Sequence, residues 1–140
     1  MNILPKNKSS YIVQSSFEIG PLLQKLHRDY FDEIDRGKEK FFVAHLDTNN
    51  AVRTVEVVAI GTLTSCRIHP RETFRRAIHL NTCKIIIAHN HPSGQTYPSE
   101  SDINITKTLV VAGKYLGIDV VEHIIFSDDD YYSFKDEGLI

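Results

Sequence analysis

The run Lys84-Ile-Ile-Ile-Ala88 constrains the fold more than any other segment. It is short, apolar, rich in β-branched residues and without alternation, which fits a strand covered on both faces of its sheet. It delivers the chain directly into His89-Asn-His91-Pro-Ser-Gly-Gln-Thr-Tyr-Pro-Ser99-Glu-Ser-Asp102. Pro92, Gly94 and Pro98 break regular structure there, and loops at the ends of buried strands are where rigid scaffolds commonly hold chemical groups.

The flanking elements follow from periodicity and punctuation. Leu22, Leu23, Leu26, Tyr30 and Phe31 fall near helical spacing, predicting a helix from Phe17 to about Ile34 with Pro21 in its first turn. Phe41–Leu46 and Val52–Ile60 read as strands of a hairpin turned by Asp47-Thr-Asn-Asn50. Gly61–His69 reads as an irregular connection. Pro70 opens a helix through Leu80, with Phe74, Ala77, Ile78 and Leu80 toward the core. Ser99 opens a helix to about Leu116 that Gly117 ends, and Ile118–Phe126 supplies a further strand. After the acidic turn Asp128–Asp130 the tail has no clear signal.

With 140 residues, one compact domain spanning 1–140 is expected, residues 1–16 being flexible. A net charge of −2 advertises no global nucleic-acid affinity. Locally, Arg67, Arg71, Arg75 and Arg76 with His69 and His79 form either a basic face for an anion or, as we favour, a solvated helix face. Cys66 and Cys83 lack the spacing of a zinc knuckle, a redox pair or a disulfide framework, and read as reduced thiols. The N-terminus lacks a signal-peptide core and no run approaches the length of a membrane span, so a cytoplasmic protein with no membrane partner is expected.

On an extended backbone, residues two apart project the same way, so His89 and His91 can share one metal ion and Asp102 can supply a third ligand. Two histidines and a carboxylate leave a tetrahedral zinc one open position for water, the arrangement of a catalytic site. The competing reading makes the histidines loop residues satisfied by backbone carbonyls. It makes Ser99 and Asp102 a helix cap, a role compatible with ligation because a helix start is a rigid mount. Hydrolysis also needs a base. Glu56, inside the apolar run Val55–Ile60, is the candidate, set against outward alternation on a half-exposed strand. Glu122-His123 is either a pair that supports a metal ligand from behind, a structural pair or, as we favour, includes a strand residue facing solvent.

This set, an upstream Glu followed by His-x-His, seven residues, Ser, two residues and Asp, resembles the JAB/MPN (JAMM) metalloprotease family. Gly61-Thr-Leu, His69-Pro-Arg-Glu72, His89-Asn-His-Pro-Ser-Gly94, Pro98-Ser99 and His123-Ile-Ile125 are similar specifically to its RadC branch, the match covering roughly residues 41–134. The resemblance implies an α/β fold of three layers, α/β/α, with a central mixed sheet related to cytidine deaminases. It implies zinc held by His89, His91 and Asp102, Glu56 as general acid/base, and Ser99 orienting water and stabilising an oxyanion. The chain departs from the branch at Glu122, commonly Asp, and at Gln95-Thr-Tyr97. Within these 140 residues, no helix-hairpin-helix segment like that of longer RadC-type proteins is expected.

The leading expectation is therefore a zinc-dependent hydrolase of peptide or isopeptide bonds acting on a peptide or protein. The alternative is a non-catalytic or accessory module in DNA repair or mobile-element biology that binds nucleic acid or protein. A nucleobase deaminase needs His-x-Glu with Pro-Cys-x-x-Cys, and neither is present. Oligomeric state is left open.

Overall fold

A computed structural model describes residues 1–5, 11–61 and 68–140. Its elements in chain order are β1 (Tyr11–Ile12), α1 (Ser16–Tyr30), α2 (Glu33–Arg36), β2 (Lys40–Leu46), β3 (Ala51–Ile60), α3 (Pro70–Thr73) and α4 (Arg75–His79). β4 (Lys84–Asn90), α5 (Glu100–Leu116), β5 (Asp119–Phe126) and β6 (Tyr131–Ser133) follow. The fold is α/β, with one six-stranded mixed sheet ordered β1-β3-β2-β4-β5-β6. Among the described residues only β4 and β5 pair in parallel. A parallel pair needs a long crossover, and α5 provides it.

Alternation along the central strands explains why both faces are apolar. Phe42, Ala44, Leu46, Ile86 and Ala88 join Ile19, Leu22, Leu23 and Leu26 of α1 in one cluster. Phe41, Val43, Ile85 and Ile87 join Phe74 at the α3–α4 junction, Ala77 of α4, and Ile105 and Leu109 of α5 in a second. β4, fully buried from Ile85 to Asn90, lies between them as its uninterrupted apolar run predicts. At about 1.5–3 kcal/mol for each fully buried aliphatic side chain, the burial of Ile105 and Leu109 favours packing of α5 against the sheet.

The ends of α5 are set by local chemistry. Ser99 Oγ accepts the Asp102 N–H at 3.0 Å, and Asp102 Oδ2 accepts the Ser99 N–H at 2.8 Å. At the other end Gly117 adopts φ 71°, the left-handed conformation that closes many helices. A Cβ on Gly113 would stand 2.3 Å from the Ile118 carbonyl oxygen and 3.3 Å from the Phe74 ring, so only glycine permits this approach.

Several sequence expectations are corrected. α1 starts upstream of Pro21, because the Glu18 carboxylate accepts the Ser15 N–H and sets the start earlier; the proline lies inside the helix. The same helix stops at Tyr30, and Asp32, accepting the Asp35 N–H at 2.8 Å, caps the separate turn α2 that contains Ile34. The helix expected over 70–80 breaks at Phe74, shifting its phase: Phe74 and Ala77 are buried, whereas Ile78 and Leu80 are 58% and 44% exposed. Glu122 does not face solvent; β6 and the residues after it cover that side of β5 and leave it 5% exposed. At the N-terminus, Ile3 is buried and its N–H donates to the Val55 carbonyl, so residues 1–3 line the edge of β3. Arg67, Cys66 and most of the Gly61–His69 connection lie outside the described residues.

Candidate metal centre

The βαβ crossover explains why the site forms where it does. β4 ends at Asn90 and α5 begins at Glu100, so the C-terminal end of a central strand and the first turn of the crossover helix share one end of the sheet. Ligands of open α/β sheets gather in such positions. His89 is the penultimate residue of β4, on the face carrying Ile85 and Ile87. His91 is the first residue beyond the strand, its N–H donating to the Phe126 carbonyl.

The structure brings His89, His91 and Asp102 together, with one potential donor atom from each lying within 4.8 Å of the others. His89 Nε2 is 3.0 Å from His91 Nε2 and 3.2 Å from Asp102 Oδ1, and His91 Nε2 is 3.5 Å from Asp102 Oδ2. A tetrahedral ion with bonds of 2.0–2.1 Å separates its donors by about 3.3–3.4 Å, so these edges bracket the spacing zinc requires. His91 Nδ1 is 2.7 Å from the Gln95 main-chain oxygen, which can only accept; the neutral ring therefore carries hydrogen on Nδ1 and turns a bare Nε2 to the cluster. The donor set fits zinc.

Electrostatics point the same way. Burial works to raise the Asp102 carboxyl, but the His89 and His91 rings beside it outweigh that effect and hold the group well below the usual carboxylate range. The Asp102 carboxylate in turn lifts the His91 imidazole above its ordinary value, against the opposing effect of burial. The protein thus holds a stable anion among imidazoles. Asp102 performs its capping role in the same geometry, one carboxylate oxygen facing His89 and the other shared between the Ser99 N–H and His91.

Ser99 is at the site's edge as the cap of α5. Its oxygen accepts from Asp102, and its own hydrogen is left for another acceptor. Glu56 lies apart from the three-residue group. It pairs with Val43, which pairs with Ile87, one side-chain row from the Phe41–His89 pair and across the intervening strand β2. Two strand spacings put Glu56 and His89 about 10 Å apart sideways. Glu56 is 8% exposed, its Oε1 3.0 Å from His45 Nε2 and its Oε2 2.8 Å from Arg76 Nε. Burial raises its pKa, but these two partners prevail and hold it below the ordinary glutamate value. Arg76 is thereby withdrawn from the basic face, where Arg71, Arg75 and His79 are exposed.

Sequence reasoning raised His123 as a supporting residue without favouring it, and missed Thr106, which completes the support beneath His89. His89 Nδ1 is 2.9 Å from His123 Nε2, His123 Nδ1 is 2.6 Å from Thr106 Oγ1, and Thr106 Oγ1 donates to the Asp102 main-chain oxygen at 2.7 Å. His123 is 1% exposed, stacked on Phe134 at 4.3 Å and 18°. The available signal was the parallel pairing of two apolar runs joined by one helix: the register Ile87↔His123 sets that ring one row from His89. His45 had no comparable signal; it reads as an ordinary strand residue.

Comparison with known proteins identifies the kind of domain that carries this donor set. The profile of the RadC-like JAB domain matches residues 18–139, and the chain belongs to that family. It is 47% identical over 106 residues to a UPF0758 protein of Methanosarcina mazei, covering 76% of this chain and 46% of that protein. A UPF0758 protein of Methanococcoides burtonii is 40% identical over 136 residues, covering 97% of this chain and 55% of that one. One from Alkaliphilus metalliredigens is 48% identical over 103 residues, or 74% and 44% of the two chains. The chain thus spans about half the length of the curated relatives it matches. No helix among the described residues is long and apolar enough to cross a membrane.

Proposed function

We propose that this protein is a zinc-dependent metallohydrolase of the three-layer JAB/MPN type, cleaving amide bonds of a peptide or isopeptide substrate in the cytoplasm. The observation that carries the reading is the cluster in which His89 Nε2 and His91 Nε2 lie 3.0 Å apart, with Asp102 Oδ1 3.2 Å from the first and Asp102 Oδ2 3.5 Å from the second. Bound by these three donors, zinc would supply a Lewis acid and bring the pKa of a water molecule to about 7.

The chain's own residues divide the remaining work. A groove of about 400 Å³ lined by His91, Pro92, Gly94 and Asp128–Asp130 runs beside His91 and would take an extended substrate there. Ser99 has a hydroxyl hydrogen to offer a carbonyl oxygen as negative charge develops there. Glu56 is the carboxylate assigned to proton transfer. Both its oxygens are engaged in the resting arrangement, so transfer requires Arg76, whose side chain is 37% exposed, to release Oε2.

Metal analysis and turnover test the reading separately. Purified protein should hold one zinc per chain, and His89→Ala should hold none. Glu56→Gln should retain zinc and lose turnover on a peptide or isopeptide bond. Undiminished turnover in that variant removes Glu56 from the mechanism, and a wild type without stoichiometric zinc removes the centre.

A further inference from the structure

We propose that His123 and Thr106 are positioning residues for the metal centre, forming a one-way hydrogen-bond relay that presents His89 to the site with Nε2 as a bare lone pair. The proposal rests on the zinc reading of the site but is argued from groups outside the donor set.

A neutral imidazole carries one hydrogen, and the nitrogen that holds it cannot bind a metal. The relay decides where that hydrogen is. Its last member is the main-chain oxygen of Asp102, which only accepts, so the hydrogen of Thr106 Oγ1 is committed there at 2.7 Å. With that hydrogen used, the 2.6 Å contact between Thr106 Oγ1 and His123 Nδ1 must be donated by the ring. His123 is 1% exposed, between the rings of Phe134 and Phe41, where a neutral ring is favoured. The neighbouring Glu122 carboxylate accepts the main-chain N–H of His123 and the Ser133 hydroxyl, while the ring nitrogens of His123 meet His89 and Thr106.

A neutral His123 with hydrogen on Nδ1 has a bare Nε2, and the 2.9 Å contact to His89 Nδ1 must then be donated by His89. Nε2 of His89 is left without hydrogen, facing His91 Nε2 at 3.0 Å. His91 reaches the same state through Gln95. Two bare nitrogens at that separation repel until a proton or a cation stands between them. Asp102 closes the circuit, its side chain supplying one donor and its main-chain oxygen orienting the ring that supplies another. A metal ligand held by a polarised outer partner in this way commonly owes it about 10–100-fold in affinity.

Long-range proton–nitrogen NMR on metal-free protein labelled at histidine reads the relay directly, and chelator competition reads its consequence. Wild type should show both His89 and His123 as Nδ1–H tautomers. Thr106→Val, which keeps shape and removes the acceptor, should release His123 to the Nε2–H form, move His89 with it and weaken zinc binding about 10–100-fold. Thr106→Ser should restore both readouts. An Nε2–H tautomer of His89 in the wild type overturns the relay whether or not any variant folds, as does unchanged zinc affinity in a folded Thr106→Val protein. Wild type that shows the expected tautomers yet binds no zinc supports the relay and rejects the metal centre.

Discussion

Asp102 and Glu56 are carboxylates on the same face of the sheet, both held below their ordinary pKa, and the kind of partner that holds them differs. Glu56 has Arg76, a permanent cation, on one oxygen and His45 on the other. Asp102 has two histidines and a backbone amide, and no permanent cation among the described residues. Glu56 is electrostatically complete as folded. Asp102 becomes so only when an imidazole takes a proton or when a cation arrives. Two carboxylates in similar burial are thus prepared for different things, one for an ion pair that must open before the group can take a proton and one for a metal.

The strongest way to break this contrast is to exchange the perturbations. His89→Ala should abolish zinc retention, a loss exceeding the roughly 10–100-fold that removal of a supporting group brings. Arg76→Ala should leave zinc content unchanged. Chelator competition on both variants checks the pair of outcomes; loss of zinc from Arg76→Ala would mean the two clusters are one site.

A buried pair on the opposite face sharpens the contrast by reversal, because it holds two bases and no carboxylate. Lys40 Nζ lies 3.2 Å from His27 Nε2, donates to the Lys38 carbonyl at 3.0 Å and sits over the Phe31 ring. Burial and then Lys40 push the His27 pKa down from 6.5 to about 4. A depressed pKa means that the folded state binds the proton less tightly than the unfolded chain. Stability is therefore full above pH 6.5, falls as pH drops from there to about 4, and loses about 2–3 kcal/mol over that window. His27→Gln, able to accept from Lys40, should flatten this part of the profile when urea denaturation is followed against pH.

Removing Arg76 should cost less. Breaking a fully buried pair costs about 3–5 kcal/mol, and the partial exposure of Arg76 lowers the expectation to about 1–3 kcal/mol. Denaturant midpoints of Arg76→Ala and of Glu56→Gln/Arg76→Ala give the coupling. A double variant no more stable than the single one would mean that Glu56 is not left uncompensated when Arg76 goes.

The sequence was most informative where chemistry is local. His-x-His spacing, the Ser99–Asp102 cap and Gly117 each act within a turn or a strand, and the apolar run of β4 announced its own burial. Glu56 was legible as a residue and illegible as an environment, since His45 and Arg76 reach it from eleven and twenty positions away through a hairpin and a helix. Alternation failed at Glu122 because it registers which side of a strand is apolar, not whether a later strand will cover the other side. The tail that covers it carried no clear signal of its own.

Glu122 supplies the third carboxylate of the comparison and the smallest expected effect. Its oxygens accept from the His123 N–H at 2.8 Å, the Lys135 N–H at 3.0 Å and the Ser133 hydroxyl at 2.6 Å, all neutral donors. Without a cation, burial prevails over these bonds and raises its pKa above 4.5. A raised pKa means that the folded state favours the protonated acid, so stability is fullest below pH 4.5 and declines as pH rises through the folded value. Glu122→Gln keeps an acceptor for both N–H groups and removes the charge. It should therefore be neutral to stabilising by less than about 1 kcal/mol near pH 7, and should lack that decline. Thermal unfolding compared across pH checks the sign: a clear loss of stability near pH 7 would show that the ionised carboxylate is favoured at this position, placing Glu122 with Asp102 and Glu56 instead of against them.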